Sequence, residues 1–212
     1  MRIETVELQV YRQPGFITNC YLLYDQQFPE FLMVVDPGDD YPCLKKAIGK
    51  RKVISIVCTH HHYDHVAALA DLKADTNAPI FAHRIEAQSI IASVADIASK
   101  RRKSWKRLVI DHLLESGDWI TMGSEGCQVL HTPGHSKGSI CLSDAAGNAL
   151  ISGDTLFFES FGRTDLAGGS DSEMRQSLMR LSTFDDGTVV YPGHGPSTTI
   201  GHERAKGTLN LR

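Results

Sequence analysis

The chain has 212 residues, 42% hydrophobic and 22% charged, with a formal charge of -3; this allows one domain with a substantial core and gives no global attraction for nucleic acid or an anionic membrane. No apolar run approaches the roughly 20 residues of a membrane helix, and Met1-Arg2-Ile3 leads into alternating sequence rather than a signal peptide. Five scattered cysteines (Cys20, Cys43, Cys58, Cys127, Cys141) form neither a CxxC pair nor a disulfide framework, so we expect a single domain over residues 1–212 in a reducing cytoplasm, with neither nucleic acid nor membrane as partner.

In chain order, Val6, Leu8 and Val10 alternate with Glu7, Gln9 and Tyr11, the period-two signature of a half-buried strand. Asn19 to Tyr24 and Phe31 to Val35 read as two further strands, the second stopped by Asp36-Pro37-Gly38. A short helix is expected over Tyr41 to Lys50, then a central strand over Val53 to Cys58 that points into His60. His65 to Lys73 and Ile85 to Lys103 read as helices, with a strand over Pro79 to Ala82 between them. The second half is strand-rich, over Trp119 to Met122, Cys127 to His131, Ser139 to Leu142 and Ala149 to Ser152. A helix over Ser172 to Leu181, a strand over Thr188 to Tyr191 and a short helix from Ile200 complete the chain. Strands interleaved with helices suit sheets with helices packed on their outer faces.

One pattern recurs: a strand ends, a turn containing Gly or Thr follows, and a His or Asp stands at its tip. The four cases are Cys58-Thr59-His60, Thr132-Pro133-Gly134-His135, Ser152-Gly153-Asp154 and Tyr191-Pro192-Gly193-His194. They would deliver metal ligands together if they converge at one edge, as groups on loops held by a rigid scaffold often do. The densest signal is Thr59-His60-His61-His62-Tyr63-Asp64-His65. In extended backbone, side chains two apart share a side, so His60 and His62 can grip one ion while Asp64 and His65 turn toward a second. Imidazole and carboxylate suit zinc, and also iron or manganese.

These residues, HxHxDH followed by TPGHS, SGDTLF and YPGHG, resemble the metallo-β-lactamase superfamily over residues 60 to 194. The resemblance implies an α+β fold, a four-layer αβ/βα sandwich of two facing mixed β-sheets with helices outside. It assigns His60, His62 and His135 to a first metal, Asp64, His65 and His194 to a second, and Asp154 as the bridge; His61 falls at a variable position. The cofactors implied are two divalent ions, zinc first, with iron or manganese as alternatives. Water on such an ion loses its proton near neutral pH, and two ions roughly 3.5–4 Å apart would hold the hydroxide while one polarises a carbonyl. Asp64 would be the catalytic residue, aiming that nucleophile.

Within the superfamily, Gly153-Asp154-Thr155 stands where one class of true β-lactamases places a cysteine, and the ligand set resembles glyoxalase II, the hydroxyacylglutathione hydrolases. Phe161-Gly162-Arg163-Thr164-Asp165-Leu166 and the run from Gly193 to Glu203 resemble its short bacterial relatives. The substrate class implied is a small-molecule thioester, whose thiol, with a pKa of roughly 8.5, leaves without a strong general acid. The alternative is a persulfide dioxygenase with a single iron, since such enzymes resemble glyoxalase II and often carry a GRTD segment. Lys100 to Arg107 is the one basic run, read either as a solvated helix end or as a lid for an anionic substrate. Arg163 and Asp165 read as an ion pair fixing their turn, or as substrate contacts. Phe157, Phe158 and Phe161 wall a pocket or fill the core, and Cys58 and Cys141 are buried hydrophobes.

Overall fold

The computed structural model describes residues 1–11, 13–102 and 108–209. Its Cα packing divides them into two compact units, one of residues 1–114 with 122–124, the other of residues 115–121 with 125 onward. Among the described residues no helix is long and apolar enough to cross a membrane.

The first unit is built on a six-stranded sheet of β1 (Arg2–Gln9), β2 (Ile17–Tyr24), β3 (Phe31–Val35), β4 (Lys52–Cys58), β5 (Ile80–His83) and β6 (His112–Leu114), hydrogen-bonded in sequence order. The pairs β1–β2 and β2–β3 are antiparallel, while β3 to β6 run parallel. Helical crossovers make the parallel half possible. These include α1 (Tyr41–Ile48), α3 (Leu69–Thr76) and α4 (Ala87–Lys100). α1 starts where the Asp40 carboxylate accepts the Cys43 amide at 3.1 Å and stops at Gly49, whose φ of 63° ends the helix. Leu22, Val34, Ile56, Leu44, Leu72 and Ile90 meet in the core of this unit, all fully buried.

The single helix expected from His65 to Lys73 is in fact two, α2 (Tyr63–Val66) and α3, broken at Ala67 and Ala68. The cause is tertiary. The Ala68 amide donates to the Pro37 carbonyl at 3.1 Å. The 36–38 turn lies so close that a Cβ on Gly38 would sit 2.6 Å from the Asp64 carbonyl oxygen. Only glycine permits that approach of two backbones.

The second unit carries a sheet in the order β14 (Thr198–Thr199), β13 (Val189–Pro192), β10 (Ala149–Gly153), β9 (Ile140–Asp144), β8 (Glu125–His131) and β7 (Trp119–Met122). It too is mixed, for β10–β13 is parallel while β8–β9, β9–β10 and β13–β14 are antiparallel. A two-stranded hairpin, β11 (Leu156–Phe157) with β12 (Ser160–Phe161), follows β10. Helices α5 (Asp171–Leu181) and α6 (Ile200–Lys206) begin at Ser170 and Thr199, each hydroxyl accepting an amide three residues on. Their buried faces, Met174, Leu178, Leu181 and Ile200, pack with Leu130 and Leu150. The short β6, β11, β12 and β14 were not foreseen, because two or three residues carry no period.

Candidate metal centre

The sequence-predicted ligands fall into two groups, four in the first unit and three in the second. In the first, β4 ends at Cys58 and His62 is the N-cap of α2, in extended backbone with φ -64° and ψ 147°. This places His60 and His62 on one side, ring centroids 4.8 Å apart, with the His65 ring 4.2 Å from that of His60. His61 turns the other way: its amide donates to the buried Glu86 carboxylate at 3.0 Å and its Nδ1 bonds the same oxygen.

A residue read from sequence only as a strand stop organises this group. Asp36, buried and held at φ 54°, accepts the Thr59 amide and the Thr59 hydroxyl, both at 2.7 Å, and the His65 Nδ1–H at 2.9 Å. A carboxylate only accepts. Thr59 therefore spends its hydroxyl proton on Asp36, and its oxygen, 3.0 Å from His60 Nδ1, accepts the ring proton. Both His60 and His65 thus carry hydrogen on Nδ1 and a lone pair on Nε2. His65 Nε2 lies 3.5 Å from Asp64 Oδ2, so in the neutral ring an acceptor faces an acceptor. Asp64 is itself oriented by the Thr18 hydroxyl at 3.2 Å.

The same opposition appears in the second unit. His135 Nδ1 donates to the Arg163 carbonyl at 2.8 Å, so its Nε2 presents a lone pair to Asp154 Oδ2 at 3.4 Å. His194 Nε2 stands 3.6 Å from that carboxylate oxygen. Asp154 is buried at the end of β10, and the Gly193 amide ties its neighbour Gly153 at 2.8 Å. Gly162 is obligatory here, since a Cβ would run into the Asp154 carbonyl oxygen and come within 3.1 Å of His135 Nδ1.

Neutral imidazole lone pairs set against carboxylate oxygens repel unless a proton or a metal ion lies between them, and imidazole nitrogen with carboxylate oxygen is the donor set of zinc, iron and manganese. The residues present therefore fit a metal. Nδ1 anchoring by a carboxylate, a hydroxyl and a carbonyl is also the outer-shell pattern that fixes metal-binding imidazoles. Asp36, His60 and His65 can each bring a donor atom within 4.8 Å of the others, but Asp36 already accepts three hydrogen bonds.

Other expected residues are sorted by the structure. Lys100 pairs with Asp96, and Arg101 with the buried Asp39, which also accepts the Tyr63 hydroxyl. Neither cation is held out as a substrate lid, and Lys103 to Arg107 lie outside the described residues. Arg163 and Asp165 form a two-point ion pair, both bonds 2.7 Å, and the guanidinium lowers the Asp165 carboxyl to about 2. Cys58 and Cys141 are fully buried, and burial raises the Cys141 thiol to about 11. Of the aromatics, Phe161 packs on the second unit's core while Phe157 stands with its ring centroid 6.0 Å from that of His194.

Residues 14–194 match the family described as Metallo-beta-lactamase superfamily. The chain is 32% identical over 187 residues to the "Probable metallo-hydrolase YqgX" of Bacillus subtilis (strain 168), covering 86% of this chain and 87% of that one. It is 32% identical over 189 residues to a "Hydroxyacylglutathione hydrolase" of Ectopseudomonas mendocina (strain ymp), covering 88% of this chain and 65% of that protein. Among solved structures, the BLEG-1 B3 metallo-beta-lactamase superposes with a TM-score of 0.82 at 31% identity, covering 96% of this chain and 97% of that one. The α+β architecture of two mixed sheets with helices is the fold of that group, and the chain belongs to the metallo-β-lactamase superfamily.

Proposed function

We propose that the chain is a binuclear metallo-hydrolase that cleaves a small-molecule thioester, an S-acylglutathione or a relative of it. The observation that carries the metal-dependent part is the set of imidazole Nε2 atoms of His65, His135 and His194 gathered against Asp64 and Asp154 at 3.4–3.6 Å. In this reading, which follows the superfamily resemblance of the sequence motifs, His60, His62 and His135 would hold one ion and Asp64, His65 and His194 the other, with Asp154 as a ligand of both. When bound, such ions supply a Lewis acid for the carbonyl and lower the pKa of a water toward neutrality. Zinc is the first choice for this donor set, with iron or manganese the alternatives.

The protein's own part is orientation and charge. Asp36 and Thr59 keep the Nε2 atoms of His60 and His65 available, and the Arg163 carbonyl does the same for His135. Asp64, steadied by Thr18, accepts a hydrogen bond from the incoming water and turns its lone pair toward the acyl carbon. The leaving thiolate needs little protonation, which suits a site whose ionisable groups are taken up as ligands. Likeness to a hydroxyacylglutathione hydrolase at 32% identity supports the thioester class.

Zinc-loaded protein should release glutathione from S-lactoylglutathione without consuming oxygen. Oxygen uptake on glutathione persulfide with no thioester cleavage would establish instead the dioxygenase reading, since such enzymes also carry a segment like Gly162-Arg163-Thr164-Asp165. Hydrolysis of nitrocefin alone would move the substrate class to β-lactams.

A further inference from the structure

The hairpin β11–β12 separates its aromatic residues by face. Leu156, fully buried, and its partner Phe161 pack into the core, so Phe157 and its partner Ser160 lie on the opposite face. There the Phe157 ring meets the His194 ring edge-on, centroids 6.0 Å apart at 67°. Phe158 at the tip is not part of that wall; it stacks on His202 of α6, centroids 5.0 Å apart.

The tip is held in an unfavourable backbone. Glu159 has φ 53°, a left-handed conformation that crowds the Cβ of any residue other than glycine. A buried carboxylate offsets this: Glu203, fully buried in α6, accepts the Glu159 amide at 3.0 and 3.1 Å and the Thr198 hydroxyl at 2.6 Å. On the surface the Glu159 side chain pairs with His202 at 3.1 Å and Lys206 at 2.9 Å. A two-residue turn is thus fixed at its backbone, side chain and neighbouring ring. The element so fixed sets an apolar ring beside one proposed metal ligand.

We propose that Phe157 is a specificity-determining contact for an apolar acyl group, and that Glu203 positions it by anchoring the hairpin tip. The proposal rests on the thioester reading above. A ring this close to His194 lies within reach of the first carbons of the acyl group, whereas the polar tail of a carrier thiol extends farther from the reacting carbonyl. An aromatic wall there favours chains that remove apolar surface from water and gives nothing to a two-carbon acyl group.

The test compares S-hexanoyl and S-acetyl N-acetylcysteamine as substrates of the zinc-loaded full chain, with hexanoate and acetate binding measured by calorimetry as a readout independent of turnover. Wild type should prefer the hexanoyl ester in kcat/KM by at least tenfold, and bind hexanoate more tightly by a similar factor. Phe157→Ala should cut both preferences about tenfold, and Phe157→Leu by less. Glu203→Ala should shift the same ratio, with Glu203→Gln partly restoring it because an amide oxygen still accepts the Glu159 amide; a merely structural role would lower the melting temperature and leave the ratio in place. A preference unchanged in Phe157→Ala overturns the proposal. If no thioester is cleaved but the alkanoate preference exists and is lost in Phe157→Ala, the wall stands and the thioester reading falls.

Discussion

Asp36→Asn tests the hydrogen-bond logic of the site most directly. The substitution keeps size and shape, and asparagine tolerates the φ of 54° as readily as aspartate, so backbone strain does not confound the result. The native carboxylate receives three donors, at 2.7, 2.7 and 2.9 Å. An amide has one accepting end. If its oxygen faces the Thr59 amide, its NH2 meets the Thr59 hydroxyl and His65 Nδ1, and the protons of His60 and His65 are driven onto Nε2, the proposed ligand atoms. If the amide is reversed, the NH2 confronts the buried Thr59 N–H, and an unsatisfied buried donor costs about 1–3 kcal/mol. Loss of the charge-assisted share of three bonds brings the total to about 2–4 kcal/mol of stability. For a chain of this size that corresponds to a fall of roughly 5–15 °C in melting temperature. Zinc affinity should drop about 10–100-fold, the usual effect of removing an outer-shell partner. Thermal denaturation of metal-free protein reads the first number, and competition with a chromophoric chelator reads the second. A folded Asp36→Asn variant whose zinc affinity stays within twofold of wild type would refute the assignment of Asp36 as the residue that fixes both rings.

Zinc-saturated wild type should hold close to two ions per chain by elemental analysis; Asp154→Ala and Asp154→Asn should each lose at least one and slow turnover by orders of magnitude, and near-normal kinetics in both would put this carboxylate outside the ligand shell. His61→Ala should leave metal content nearly unchanged yet destabilise the fold by about 1–3 kcal/mol, because the buried Glu86 keeps the backbone amide of residue 61 but loses the ring Nδ1 donor; chemical denaturation alongside metal analysis separates the two effects. Carbon-detected titration should find the Asp165 carboxyl ionising at about 2, below the usual carboxylate range, and Arg163→Gln should return it upward; an unshifted Asp165 in wild type would mean the ion pair does not persist in solution.

How much of this was legible beforehand depends on how far apart in the chain the deciding groups lie. The strand over Phe31 to Val35, the apolar run into His60 and the helix ending at Leu181 follow from local periodicity and apolar runs, and the HxHxDH, TPGHS, SGDTLF and YPGHG turns carry the family in a few adjacent residues. Local pattern reports which face of an element is apolar, but it does not divide the three neighbouring phenylalanines Phe157, Phe158 and Phe161 between core, helix and site. That division needed the two-residue hairpin register, which sets Phe157 opposite Ser160. The break between α2 and α3 was likewise invisible, because the carbonyl that takes the Ala68 amide belongs to Pro37. Asp36 reads as punctuation after a strand until Thr59 and His65, 23 and 29 residues away, are brought to it. The candidate ligand types are written in the sequence; which ring nitrogen of His60, His65 and His135 carries the proton is decided by partners folded against it, since a tautomer answers to whatever accepts its hydrogen and not to its neighbours in the chain.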